Sequence, residues 1–532
     1  MKHLFRVLLF VVTVASVWSL DRTVCDTAIM GKWIGASVAL MVSATALSLY
    51  FILKGRNADV NIIGSLDMAW PFTLTGFIVM AHSFLQMCSV LHAGNGIVDG
   101  LLYATADFDN PAGVAATLTV TFPFMSGVKA YKECSYVKQN VFTIVVATVA
   151  LALLALLRSR AGILAVGAVL LMRGLYKRDN FLRRLVFIIT LVAATTVIII
   201  SVTKEGSNQG RTLILNVCMD MIKDKPLFGH GLHGFRRNYM LYQAKYLERC
   251  NSETFNLLAD NVTHPLNEYF LLTVNFGIIG FLVIAVAVLM TLKHFTRQLY
   301  NDTFTGVSVL TGIAILSMFS YPFRYPLTLV GMICALFLVF RDQLSDSQGY
   351  IKKSVCTITT ILSIIGLTIF VPWSVYQNKW GKLVRSSENN KTAQKALDNY
   401  SVLYRHLKND PYFLYNYAYI LAETGDCFNA VQIAQRSFKL MANYDTALFV
   451  AEQQKECGNM DYSEEYYKLA SAMCPVRFIP LYGLFQLYEE QHRFDDMKQL
   501  GRSILAKPVK VQSAEIKRIR LAVRQKMVMY NL

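Results

Sequence analysis

Charge is what this chain has least of for its length. Only 16% of its 532 residues are Asp, Glu, Lys or Arg, while 54% are hydrophobic and the mean hydropathy is +0.39. Ordinary soluble domains carry about 25% charged residues, so a wholly soluble enzyme is all but excluded. Acid is the scarcer sign, with 35 Asp and Glu against 52 Lys and Arg, a net charge of +17. In a soluble protein that excess suggests nucleic acid, but in a membrane protein it marks the loops kept in the cytoplasm. The 10 cysteines contain no Cys-x-x-Cys pair, which removes a zinc ribbon or a thioredoxin-type centre. No metal is expected from them.

What the chain has instead is long apolar runs. Crossing a bilayer takes roughly 17 to 25 such residues, slightly fewer where a helix is broken or shielded by its neighbours, and on that measure about eleven runs stand out. They lie at 4–20, 33–53, 69–90, 112–128, 141–157, 161–173, 185–203, 265–292, 304–320, 326–341 and 354–375. Basic residues gather in alternate loops: Lys54 and Arg56; Lys129, Lys132 and Lys138; Arg173, Lys177, Arg178, Arg183 and Arg184; Lys293 and Arg297; Lys352 and Lys353. Those loops are expected to be cytoplasmic, with the N-terminus inside and, for an odd number of spans, the C-terminus outside. The basic-poor stretch from His92 to Asn110, with Asp99, Asp107 and Asp109, fits the outer side. The first run lacks an A-x-A-type cleavage site and is followed by many more spans, so it reads as a retained anchor.

Two segments stay out of the membrane, a connection of about sixty residues from Lys204 to Thr263 and the tail from Asn378. The expected fold is all-α: a polytopic membrane bundle over 1–377, carrying the large outer loop 204–263, and a soluble helical domain over 378–532. The tail holds 22 of the Lys and Arg and 16 of the Asp and Glu, so most of the positive excess belongs to the membrane part as an orientation signal. It gives no support to nucleic-acid binding.

The tail also carries a weak repeat of roughly 34 residues, the period of a tetratricopeptide helix pair. Gly425-Asp426 with Ala430 recurs as Gly458-Asn459 with Ser463, Tyr467, Ala470 and Pro475, and then as His492-Arg493 with Met497 and Gly501. Small residues at these offsets let paired helices approach, and aromatics such as Tyr412, Phe413, Tyr415 and Tyr417 fill the gaps. Such stacks offer a concave surface to a partner; the alternative is a helical cap that only stabilises the membrane part.

Polar features are densest around the outer loop. Gly210-Arg211 leads into Met221-Ile222-Lys223-Asp224-Lys225-Pro226-Leu227-Phe228-Gly229-His230-Gly231-Leu232-His233-Gly234-Phe235, a helix ended by Pro and a Gly-rich turn. Thr263-His264-Pro265-Leu266-Asn267-Glu268 follows where the eighth span begins, and Asn275-Phe276-Gly277-Ile278-Ile279-Gly280 continues that span. Together with Phe108-Asp109-Asn110-Pro111 and Ser159-Arg160-Ala161, these stretches resemble the O-antigen ligase and O-antigen polymerase superfamily, which includes bacterial protein O-oligosaccharyltransferases. The last motif departs from the family's usual Ala-His-Asn or Thr-His-Asn, because Pro265 and Leu266 separate His264 from Asn267. That bears on Asn267 more than on His264.

The resemblance implies a bacterial inner-membrane enzyme. It would transfer a glycan from undecaprenyl diphosphate to an acceptor hydroxyl on the periplasmic side, without metal or cofactor. The residue chemistry is compatible. A departing diphosphate gains negative charge that guanidinium groups meet with bidentate bonds, which points to Arg160 and Arg211. Arg160 adjoins an apolar span, where an unpaired charge is costly; its bland alternative, like that of Arg158, is snorkelling to the interface. For Arg211 the alternative is a solvated loop. His264 fits a general base for the acceptor hydroxyl, or else a structural hydrogen-bonding residue.

Other residues have secondary roles. Arg236 and Arg237, with Lys223 and Lys225, form either a cationic rim or a solvated face. Asn110 and Pro111 shape the entry of the fourth span, with substrate contact secondary, and Asn267 is a further secondary contact. His230 and His233 have a loose His-x-x-His spacing that suits a turn better than metal ligation. Tyr239, Tyr242 and Tyr246 either stack on sugars or pack one helical face. Of the outer cysteines, Cys25, Cys218, Cys250, Cys427, Cys457 and Cys474, the pair Cys218 and Cys250 would tie the large loop, unless they are free thiols. Three acceptors remain open: lipid A core sugar, another lipid-linked glycan, or a protein Ser or Thr. The rivals are a lipid-linked glycan flippase, which the few intramembrane charges and lack of an inverted repeat disfavour, and a scaffold, which leaves His264 and Arg211 without a task.

Overall fold

The computed structural model describes residues 2–18, 24, 26, 29–54, 63–92, 104–127, 136–176, 186, 188–190, 192–197, 205–297, 301–346, 349–387 and 393–531. Every regular element among them is helical. In chain order these are α1 (Lys2–Trp18), α2 (Met30–Lys54), α3 (Ser65–His92), α4 (Pro111–Gly127), α5 (Tyr136–Leu156), α6 (Arg160–Tyr176), α7 (Glu205–Asp224), α8 (Gly234–Cys250), α9 (Glu253–Leu258), α10 (Glu268–Arg297), α11 (Asn301–Phe319), α12 (Pro326–Asp346) and α13 (Gly349–Ser387). The tail adds α14 (Ala393–Leu407), α15 (Pro411–Glu423), α16 (Cys427–Leu440), α17 (Tyr444–Glu456), α18 (Met460–Met473), α19 (Ile479–Glu490), α20 (Phe494–Ala506) and α21 (Ala514–Met529). Part of the seventh apolar run, 185–203, falls outside the described residues, as do Arg56, Asp99, Lys129, Lys132, Lys177, Arg178, Arg183, Arg184 and Cys25.

The chain is a helical membrane protein. Among the described residues, Met30–Leu53, Ser65–Ser89, Glu268–Thr291, Asp302–Phe319 and Lys353–Arg385 are long and apolar enough to cross a bilayer, and Val141–Leu156 and Pro326–Arg341 are shorter apolar helices. Helices α4 and α6 have 17 residues each, near the lower limit of about 17 for a crossing. The count of eleven crossings therefore rests on sequence pattern and loop charge, not on helix length.

The contacts divide the chain into two compact units: Met1–Lys204, Leu266–Glu268 and Val283–Gly381 in one, and Glu205–Pro265, Tyr269–Leu282 and Lys382–Leu532 in the other. In the first unit α4 is the central helix. Val114, Ala115, Leu118, Val120, Phe122 and Phe124 are all buried, as expected of a helix that is apolar on every side. Glycines let its neighbours close in, since Val120 occupies the space a Cβ on Gly331 would need, and Thr119 does so for Gly312. Phe72 stacks on Phe124 at 4.2 Å. Ion pairs Arg6–Asp67 (2.6 Å) and Arg341–Asp302 (2.5 Å) tie α1 to α3 and α11 to α12.

The second unit joins the large loop, the first part of α10 and the tail. The three repeats of the tail share one turn geometry. Gly425, Gly458 and His492 all have positive φ, at 81°, 79° and 56°. In each repeat the following residue donates its N–H back across the turn: Asp426 to Leu421, Asn459 to Gln454 and Arg493 to Tyr488, at 3.0, 2.8 and 2.9 Å. This left-handed helix end explains both the glycines and their imperfect replacement by histidine. Ala430, Ser463 and Met497, at matching offsets, are fully buried, and Ser463 bonds the Ala451 carbonyl at 2.8 Å. Of the two alternatives for Cys218 and Cys250 the free thiols hold, Cys218 buried and Cys250 exposed. The disulfide joins Cys427 to Cys457, with Cα atoms 5.8 Å apart, because stacking brings equivalent turns of successive repeats together.

Candidate functional site

Two stretches noted in the sequence are locked together by a broken helix. In α10, Gly277 leaves helical geometry with φ 66° and ψ −166°. An unbroken helix would bond the Val274 and Asn275 carbonyls to the N–H groups of Ile278 and Ile279. Instead, His230 and Gly231 donate to Val274 and Asn275 (both 2.8 Å), while Ile278 and Ile279 donate to Pro226 and Leu227 (2.8 and 3.4 Å). The Gly-rich turn after α7 thus takes over the four backbone groups freed by the break, which satisfies the demand that buried peptide groups be paired. Asn275 adds a side-chain contact, its Oδ1 accepting from the Phe235 N–H at 2.9 Å. That bond caps α8 from another helix, since His233 at the N-cap position makes no side-chain bond of its own.

His264 lies in an irregular segment from Ala259 to Asn267, four residues short of α10, not at the helix start expected from the sequence. Pro265 disfavours helical backbone at the residue before it, and Leu266 adopts φ 57°, so the helix cannot begin until Glu268. Arg211 is in the second turn of α7 and half-buried, a helical position where a loop was the alternative. Arg211 and His264 belong to the second unit; Arg160, Asn110 and Asn267 belong to the first.

Arg160 is the half-buried first residue of α6, directly after a helix end at which Arg158 has φ 52° and is exposed. The Asn110 side chain caps α4, its Oδ1 accepting from the Ala112 N–H at 2.8 Å while its amide reaches the Tyr321 hydroxyl at 2.7 Å. Next to it Asp109 pairs with Arg324 at 3.0 Å and accepts from the Tyr325 hydroxyl at 2.8 Å. Fully buried Lys32 donates to the Asp107 carbonyl at 2.9 Å. The Asn267 amide donates to the Met318 carbonyl at 2.8 Å.

Arg236 is turned onto the tail, donating to the Tyr412 hydroxyl at 3.1 Å with its guanidinium over that ring. Arg237, Lys223 and Lys225 are exposed. The three tyrosines of α8 pack: Tyr239 is fully buried, Tyr242 bonds Asp224, and the Tyr246 hydroxyl accepts from Asn216 at 3.0 Å. His230 Nε2 lies 2.9 Å from the Met221 carbonyl oxygen. Burial, reinforced by Arg236 and Arg237, holds the His233 imidazole below its ordinary value.

Residues 144–285 match the sequence model of the O-antigen ligase family. Over that stretch the chain is similar to the O-antigen ligase family. The matched stretch includes Arg160, Arg211, His264 and Asn267, together with the Gly-rich turn and the break at Gly277. Among membrane helices, that match supports a glycan transferase or ligase in general terms. No curated protein matches the chain. The crystal structure of yeast Tom70 superposes with a TM-score of 0.26 at 10% identity, over 92% of this chain and 96% of that one, too distant to carry an argument.

Three features of this region have no motif to announce them: the Asn275 cap, Gln243, which bonds the Asp260 and Met473 carbonyls, and the ion pair Asp260–Arg477. A glycine inside an apolar span was the available signal for the first. Gln243 left none.

Proposed function

We propose that the protein transfers a saccharide from an undecaprenyl-diphosphate-linked donor to an acceptor hydroxyl at the periplasmic face of the bacterial inner membrane, without metal. The observation that carries this reading is the O-antigen ligase match across Arg160, Arg211 and His264 in a membrane protein. His264 acts as general base: it takes the proton of the acceptor hydroxyl as that oxygen attacks the anomeric carbon, and the bond from the sugar to diphosphate breaks. Arg160 and Arg211 stabilise the charge left on the departing diphosphate. One direct displacement inverts the anomeric centre. The eleven-span topology puts the large loop and the 378–532 domain outside, and the Cys427–Cys457 disulfide supports an oxidising compartment for the tail. The acceptor is lipid A core, a second lipid-linked glycan or a protein Ser or Thr.

The test uses full-length protein in liposomes with undecaprenyl-diphosphate-linked glycan and each acceptor class in turn. Release of undecaprenyl diphosphate coupled to acceptor glycosylation is the expected result. Undiminished transfer by both His264→Ala and Arg211→Ala would sink the assignment.

A further inference from the structure

The segment that carries His264 has no regular structure to hold it. Residues 259–267 lie between α9 and α10 without helical or strand bonding, so their course must come from side-chain contacts. The first part of the segment is held by contacts from the tail and from α8. Arg477, in the turn between α18 and α19, bonds the Asp260 carboxylate at 2.8 Å and lies over the Tyr444 ring. Asn261 donates to Asp445 at 2.9 Å. Fully buried Gln243 of α8 donates to both the Asp260 carbonyl (3.1 Å) and the Met473 carbonyl (2.8 Å), joining the segment to the end of α18. Burial favours the neutral form of Asp260, but the Arg477 bond, the Asn261 N–H and the positive charges of Arg477 and Lys510 together outweigh it and keep the carboxyl below its ordinary value. His264 lies four positions after Asp260, within ~14 Å of it along even a fully extended chain.

We infer that Arg477, acting through Asp260, is a positioning residue that sets His264 for proton transfer, and that the repeat domain is thereby a working part of the transferase. This rests on the reading of His264 as the base. Both partners of the pair are about half exposed, with side-chain accessibilities of 49% and 55%. An ion pair so exposed contributes little to folding, and its loss can therefore be read in catalysis without loss of the protein.

The experiment measures undecaprenyl diphosphate release by full-length protein in liposomes containing undecaprenyl-diphosphate-linked glycan and the accepted acceptor. It compares wild type, Arg477→Ala, His264→Ala, the double variant, and the exchange pair Arg477→Asp with Asp260→Arg. Arg477→Ala is expected to lower kcat about 10- to 100-fold with the donor KM and Tm unchanged. The exchange pair is expected to recover much of that loss, and Arg477→Ala should cost nothing further in the His264→Ala background. Wild-type kcat in Arg477→Ala, or the same fold-loss in both backgrounds, overturns the inference while leaving His264 as base. Wild-type transfer by His264→Ala overturns the underlying reading, and the inference with it.

Discussion

Gly277 lies directly against the carbonyl of Leu227, with no room for a Cβ between them, in a backbone conformation at φ 66° that glycine alone adopts readily. A close approach and a break in the helix ladder occur at the same residue, so the first part of α10 and the Gly-rich turn are mechanically one piece. Gly277→Ala is therefore expected to cost at least about 2 kcal/mol, from strain and clash together. A melting curve of the detergent-solubilised protein reads this directly, and an unchanged Tm would refute the coupling.

Asn275 has the milder task. Asn275→Ala removes the oxygen that accepts the buried Phe235 N–H, and a lost cap of this kind costs about 1 to 2 kcal/mol. Faster amide exchange at the start of α8 should accompany the loss, with the far repeats of the tail unaffected. Exchange that speeds up uniformly would argue against a local cap.

The Cys427–Cys457 bond closes a loop with a sequence separation of 30. Cross-links of that size restrict the unfolded chain by about 3 kcal/mol. Cys427→Ser, or reduction, should lower the unfolding midpoint of the tail, and mass spectrometry of the non-reduced protein should find the linked peptides.

Glu464 gives the tail an acid limit. Burial would raise its carboxyl, but hydrogen bonds from Lys468, Arg493 and Tyr488 bring it down to about 2 from an ordinary 4.5. A carboxyl lowered on folding stabilises the fold fully above its unfolded value, and that contribution is lost as pH falls through the folded one. The wild type should lose stability between about pH 5 and pH 2, and Glu464→Gln, weaker at neutral pH, should show a shallower slope there. Parallel pH curves would remove Glu464 as the cause.

For the chemistry itself, Arg211→Ala should lower kcat about 100-fold or more, as loss of one donor to a developing charge does. Arg211→Lys should recover only part, since an ammonium lacks the planar fork. Steady-state transfer rates distinguish this from a solvated arginine, for which neither change matters.

The membrane class, the all-helical fold and the repeat tail were legible from the amino acids alone, because each is written in local periodicity. Apolar runs set the spans, and Gly425 and Gly458 mark turns that need left-handed backbone. The sequence also contained, in order, the stretches that hold Arg160, Arg211 and His264. Only the tertiary structure decided how these are held. Gly277 reads in sequence as a flaw in an apolar span, and its meaning appears only when Leu227 is found against it. Likewise Arg477 follows Asp260 by more than two hundred residues, and the cysteine bridge follows the stacking of repeats, not the spacing of thiols. The physical reason is the same in each case: a lone polar or conformational feature has many possible partners along a chain, and packing selects one.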